Sequence, residues 1–336
     1  MSQTKQRAPS QSNGILHEIA LGAERLWDKF RPRGETQDPV IDAYMGYATP
    51  AGCVLRGRVL NTTRFTERLV APSRLNALRN MARNFLTNEM PGVRIASGSV
   101  ETVTDEEGYF HLVIPSMPPG WQTVELLLPD YEVTTEIRIQ VPSSDADIGI
   151  ISDIDDTVML TGAYSLPRNL WTTATTFVSN REIFQDTAAF IRQSQAGKNP
   201  VFYVSSSPWN LHAYLNQVFD NQNVPNGPFF LRDLGISETK FIKSSHGSHK
   251  GDAIDTILEA NPGLQFVLIG DSGQHDATVY LNAIKRHPGR IKQVALRRAG
   301  KIDDADLKAA EAIRQTDIDF FSGPSLDPLL SSDRSA

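Results

Sequence analysis

The chain has 336 residues, 40% hydrophobic and 21% charged, with a net charge of −6; these values describe a globular protein with a real core, not a disordered chain. The net charge favours solubility and says little about partners; no nucleic-acid partner is expected, and a single cysteine, Cys53, excludes an intrachain disulfide framework and fits a reducing, cytoplasmic setting. No apolar run approaches the ~20 residues of a membrane-spanning helix, so any membrane contact is expected to be peripheral.

Residues 1–40 read as a tail followed by an amphipathic helix. The opening "MSQTKQRAPSQSNG" is polar and lacks the pattern of a signal peptide. In "ILHEIALGAERLWDKF" (15–30), Ile15, Ile19, Leu26 and Phe30 recur near helical spacing.

From about residue 50 the texture is β. "CVLRGRVL" alternates, and "RIASGSVETVTDEEGYFHLVIP" predicts two strands around a "DEEG" turn. "QTVELLLP" and "EVTTEIRIQVP" follow. Between the first strand and the rest, Ser73 can cap a helix that carries Leu75, Leu78, Ala82 and Phe85 at helical spacing. Residues 41–147 are therefore expected to form a smaller β-sandwich-like domain with an inserted helix. Residues 54–85 hold seven arginines against one acid, Glu67, and residues 277–302 hold seven basic residues and no acid. Two such stretches suggest a positive face toward an anionic partner, such as a membrane surface.

After "PSSDAD" the period changes. The runs "IGIIS" (148–152), "VFYVS" (201–205), "FVLIG" (266–270) and "IKQVAL" (291–296) read as buried strands. Helices are expected at 181–196, near 209–219, near 251–260 and near 276–287. Alternation of this kind means an α/β domain over 148–322, a parallel sheet sandwiched by helices, with 323–336 as a C-terminal tail.

Ligands of such sheets bind beyond the carboxyl ends of the strands. The first strand runs into Asp153 and Asp155, the second ends at Ser205, and a later one ends "IGDSGQHD" with Asp271 and Asp276; Lys250 precedes that strand. The set suits phosphoryl transfer through an aspartyl-phosphate. Asp153 is the candidate nucleophile, and Asp155 the acid that protonates the leaving alcohol and then activates water. Converging carboxylates repel one another unless a hard cation sits among them, so Mg²⁺ is expected on Asp153, the Asp155 backbone, Asp271 and Asp276. Ser205 and Lys250 would hold phosphoryl oxygens. Ser206, Trp209 and His249 are candidates for substrate contact, with Trp209 also read as core or interface packing.

"DIDDT" (153–157), Ser205, Lys250 and "GDSGQHD" (270–276) resemble the four motifs of the haloacid dehalogenase superfamily, and Asp155 resembles the acid of its phosphatase branch. More narrowly, "SDIDDTV", "FYVSSSPWNL" and "IGDSGQHD" resemble the actin-patch-associated phosphatidate phosphatases, relatives of the lipins. The resemblance covers residues 149–300. It implies a haloacid dehalogenase-like fold and Mg²⁺-dependent hydrolysis of phosphatidate to diacylglycerol and phosphate. Met159 stands where that pattern carries a basic residue. Two other readings stay open: a phosphatase of a soluble phosphomonoester or a phosphoprotein, and a non-enzymatic lipid-binding or scaffold protein. The roughly 45 residues between "DIDDT" and Ser205, 160–180 among them, leave room for only a shallow cover over the site, and the basic β-region with Arg297 and Arg298 is expected to help dock it on anionic lipid.

Overall fold

The computed structural model describes residues 39–61, 88–161, 182–232, 246–298 and 303–331. The expected N-terminal helix, the inserted basic helix and most of the expected cover at 160–180 lie outside the described residues.

The described residues of the first half are all β. Strands β1 (Pro39–Thr49), β2 (Gly52–Asn61), β3 (Asn88–Glu89), β4 (Arg94–Ser97), β5 (Val100–Val103), β6 (Tyr109–Ile114), β7 (Gly120–Leu128) and β8 (Val133–Val141) form one hydrogen-bonded sheet. Its order is β3-β2-β1-β8-β7-β4-β5, with β6 also paired to β2. Leu55, Ile95, Leu112, Leu126 and Ile139 come from five of these strands and meet in one core. The sheet therefore wraps around a single apolar interior, as alternating strands with one wet face must. Where two strands were expected there are three. Ser97 pairs with Val100 around Gly98, whose φ of +59° supplies the left-handed turn that a two-residue hairpin needs.

The second half is α/β. Strands β9 (Ile148–Asp153), β10 (Val201–Pro208), β11 (Phe229–Arg232), β12 (Gln265–Asp271), β13 (Ile291–Arg297) and β14 (Asp319–Gly323) lie in the order β11-β10-β9-β12-β13-β14, and every pairing is parallel. Helices α1 (Gln185–Gln195), α2 (His212–Asn221), α3 (His246–Ala260), α4 (Asp276–Arg286), α5 (Asp304–Arg314) and α6 (Asp327–Ser331) cover it. Strand residues alternate between two cores: Ile151, Phe202 and Leu268 face one, and Ile150, Tyr203 and Ile269 face the other. This is why the strands read as unbroken apolar runs. The chain leaves β9 in one direction through β10 and β11, then returns to β12 on the other side of β9. That reversal opens a crevice at the carboxyl ends of β9 and β12, where ligands of such sheets bind.

Two expected boundaries differ. The segment from residue 323 carries α6 and places Leu326, 0% exposed, in the core, with its N–H on Asp186 Oδ2. The β sheet and the α/β sheet form one compact unit from residue 39 onward, and Tyr47 and Val54 of the first enter a core of the second. Tyr44 stacks on Trp209 with ring centroids 4.1 Å apart and planes 7° from parallel. Arg58 reaches Asn210 Oδ1 at 3.5 Å, and His212 Nδ1 lies 3.2 Å from Asp42 Oδ1.

Arg297, expected as a docking charge, is half-buried. Its guanidinium pairs with Asp186 at 2.5 Å and lies 3.8 Å from the Phe184 ring centroid. It ties β13 to α1, while Arg298 is exposed.

Candidate active site

β9 delivers Asp153 to the crevice and β12 delivers Asp271, because both are the last residues of adjacent central strands. Asp276 opens α4 five residues later, and Lys250 comes from the second turn of α3. All four are buried. Asp153, Asp271 and Asp276 each offer a carboxylate oxygen, and the three oxygens lie within 4.8 Å of one another. The Lys250 ammonium lies 2.7 Å from Asp153 Oδ1 and donates to Asp276 Oδ1 at 2.5 Å.

One buried cation does not balance three buried carboxylates. Burial pushes Asp153 well above the usual carboxylate range; Lys250 pulls it down, and Asp276, Asp271 and Asp155 push it up again. Asp271 is pushed up to about 8 by burial and by Asp276, against the pull of Lys250. Burial also raises Asp276 against the same pull. Burial alone would lower Lys250, but Asp153, Asp276 and Asp271 outweigh it and hold the ammonium charged.

The hydrogen bonds separate two roles among the carboxylates. Asp276 Oδ2 accepts the Asp271 N–H at 3.0 Å, so both its oxygens are engaged and it braces Lys250 and Asp271. Asp271 Oδ2 accepts the Gly273 N–H at 2.8 Å. Asp153 Oδ2 and Asp271 Oδ1 are buried and have no hydrogen-bond partner among the described residues. Orphan acceptors of this kind are costly unless something positive meets them. The donor set is all oxygen with no sulfur or imidazole, which fits a hard divalent cation such as Mg²⁺.

Asp155 stands apart from this cluster. Ser205 Oγ donates to its Oδ2 at 2.6 Å, and Ser207 Oγ donates to the same oxygen at 2.8 Å. Its backbone carbonyl accepts the Gln274 amide at 2.9 Å. Asp156, in the left-handed region at φ +58°, turns its carboxylate back to accept the Thr161 N–H at 2.8 Å; it shapes the loop. Met159 is buried and bridges Asp155 and Ile183 through backbone pairing, so its side chain faces the core.

The structure thus brings together Asp153, Asp155, Ser205, Lys250, Asp271 and Asp276. Ser205 bonds to Asp155, and Ser206 is exposed between two buried serines. Trp209 has one face on Tyr44 and the Arg56 guanidinium 5.5 Å from its ring centroid, the packing role. His249 sits against the backbone of Phe230 and Ser205; burial and Arg232 lower its pKa, and the hydrogen bond to Phe230 opposes them. Sequence reading missed Ser207 and Gln274. The signal for Ser207 was available: it lies two positions after Ser205, and alternate strand residues share a side. Gln274 carries no such signal.

Comparison with known proteins bears on residues 148–298, which match the family model for the catalytic domain of phosphatidate phosphatase APP1. An uncharacterized protein of Schizosaccharomyces pombe is 29% identical over 208 residues, 58% of this chain and 34% of its own length. Phosphatidate phosphatase APP1 of Saccharomyces cerevisiae is 30% identical over 151 residues, 45% of this chain and 26% of its own. The chain spans about a third or less of the length of these curated relatives. A solved structure of a Pnkp1/Rnl/Hen1 complex aligns over 48% of this chain and 49% of its own at 13% identity, with a TM-score of 0.34, too low to carry a shared fold. Asp153, Asp155, Lys250 and "GDSGQHD" all lie inside the segment that is similar to the catalytic domain of phosphatidate phosphatase APP1.

Proposed function

We propose that this protein is a Mg²⁺-dependent phosphatase that works through an aspartyl-phosphate on Asp153 and hydrolyses phosphatidate to diacylglycerol and phosphate. The observation that carries the reading is the pair of buried, unpartnered oxygens, Asp153 Oδ2 and Asp271 Oδ1, beside a buried lysine at the crevice between β9 and β12.

Asp153, Asp271 and the Asp155 carbonyl would hold the cation, with Asp276 behind them. Bound there, Mg²⁺ supplies positive charge for the phosphoryl oxygens and keeps the nucleophile ionised. Asp153 Oδ attacks phosphorus in line; the bond from phosphorus to the ester oxygen breaks, and Asp155 gives its proton to that oxygen. Asp155, now ionised, takes a proton from water as the water attacks the acyl-phosphate, and phosphate leaves. Lys250 and the Ser205 hydroxyl stabilise charge on the equatorial oxygens; Ser205 exchanges its bond to Asp155 for one to the substrate.

The substrate assignment follows the phosphatidate phosphatase APP1 of Saccharomyces cerevisiae. No helix among the described residues is long and apolar enough to cross a membrane, and a lipid substrate is then met by peripheral contact. The test is phosphate release from phosphatidate in mixed micelles and from a panel of soluble phosphomonoesters, with Asp153→Asn as control. Preference for the lipid with Mg²⁺ present supports the full reading. Preference for a soluble ester keeps the chemistry and moves the substrate. Equal turnover by wild type and Asp153→Asn removes the mechanism.

A further inference from the structure

We infer that Ser207 is a positioning residue for Asp155, holding its carboxylate so that one defined oxygen handles the proton. The inference rests on the phosphatase reading above and adds to it a residue that the superfamily motifs do not contain.

Both Ser205 and Ser207 donate to Asp155 Oδ2, at 2.6 and 2.8 Å. An oxygen that already accepts two O–H donors is a poor place for a proton, so Oδ1 becomes the oxygen that gives and takes it. The two donors are not equivalent. Ser205 Oγ also accepts the Ser207 N–H at 2.8 Å, and it is the hydroxyl that phosphate recruits. Once Ser205 turns to the phosphoryl group, Ser207 is the hydroxyl left on Oδ2. Without it Asp155 can rotate about its terminal torsion, which is broad and nearly two-fold, and presents either oxygen.

Ser207 is well placed to stay behind. It is 2% exposed, and in the gap where the pairing of β10 with β11 breaks after Val204 and resumes at Pro208, Ser205 and Ser207 turn toward Asp155 while Ser206 is exposed. Beyond Pro208 the chain is gripped by the β sheet at three of the next four residues. Trp209 stacks on Tyr44, Asn210 accepts from Arg58, and His212 meets Asp42. Fixing one hydroxyl to within a fraction of an ångström needs such a support layer.

The experiment compares kcat/KM for an alkyl phosphomonoester and for p-nitrophenyl phosphate in wild type, Ser207→Ala, Ser207→Thr and Asp155→Asn, all with Mg²⁺. kcat/KM reports events up to alcohol departure, when phosphorus has bonded to Asp153 and the proton has left Asp155. An alkoxide needs that proton; a nitrophenolate hardly does. Ser207→Ala is expected to lose about 30-fold or more on the alkyl ester and only about 3-fold on the nitrophenyl ester, a part of the ~10²–10⁴-fold that acid catalysis contributes, and Ser207→Thr is expected to recover most of the difference. Equal losses on both esters, with melting temperature and Mg²⁺ response unchanged, overturn the inference. If Ser207→Ala does not fold, Ser207→Thr against Ser207→Cys decides it: the thiol is a weak donor and should show the same leaving-group dependence, and a cysteine variant that matches threonine on both esters overturns it. Wild type inactive on both esters, or Asp155→Asn with no leaving-group dependence, would instead indict the phosphatase reading itself.

Discussion

Lys250 places its ammonium 2.7 Å from Asp153 Oδ1, and both groups are buried. Helix and strand tip are thereby joined by a charge pair that water barely reaches. Removing one member of a buried pair leaves the other uncompensated, which costs about 3–5 kcal/mol. Lys250→Met is expected to lower the melting temperature of the metal-free protein accordingly, and saturating Mg²⁺ is expected to recover part of the loss because the cation meets the same carboxylates. Activity stays lost by at least about a hundredfold, the scale of one missing charge-stabilising group. A variant that melts like wild type without metal would show that the pair contributes no stability.

Asp271 sets a pH dependence whose sign is the reverse of the usual carboxylate. Its pKa is pushed up to about 8, against about 3.9 in an unfolded chain. The folded state therefore binds its proton more tightly. The contribution is fully present below about pH 4 and is lost as pH rises through 8. Metal-free protein should melt at lower temperature at pH 9 than at pH 6. Mg²⁺ competes with that proton, so its stabilisation should grow over the same interval. Asp271→Asn is expected to flatten both trends while raising the metal-free melting temperature. Melting scans at four pH values, with and without Mg²⁺, check this; a metal-free stability that climbs from pH 6 to 9 contradicts it.

Much of this site was legible because its chemistry sits at strand ends. The apolar runs within β9, β10 and β12 each give way to a serine or aspartate that no core would choose. The parts that were not legible lack either length or locality. β11 "FFLR" has four residues and β14 "DFFSG" five, too short for a period to emerge. Arg297 reads as one charge in a basic stretch, yet its partner Asp186 is 111 positions away. β1 was missed because its buried and half-buried residues follow no clean alternation: it lies between β2 and β8 in the sheet, and packing against the α/β half buries residues on what would otherwise be its wet face.

Gly270 is required for space and not for backbone freedom. A methyl group there would lie 2.5 Å from Asp276 Oδ2 and 2.6 Å from the Tyr280 hydroxyl, itself bonded to the Ile269 carbonyl at 2.8 Å. Gly270→Ala must displace Asp276, which braces both Lys250 and Asp271. We expect about 1–3 kcal/mol of destabilisation from overpacking, with Mg²⁺ affinity falling by tenfold or more. Isothermal titration with Mg²⁺ on the folded variant reads the second effect directly, and wild-type affinity would mean that Asp276 does not brace the site.

The stack of Tyr44 on Trp209 couples the two halves of the molecule just behind Ser207. Such pairs contribute about 0.5–1.5 kcal/mol beyond their buried area. A double-mutant cycle over Tyr44→Ala and Trp209→Ala should return a coupling of that size, since the residues touch. Tyr44→Ala should also slow turnover of a soluble phosphomonoester several-fold at saturating substrate, because the 209–212 segment it grips follows directly on the serines that orient Asp155. A β sheet that serves only to recruit lipid predicts the opposite pattern: normal turnover of the soluble ester and a defect confined to vesicles. Assaying the one variant on both substrates separates the two, and a loss seen only on vesicles would detach the sheet from the catalytic unit.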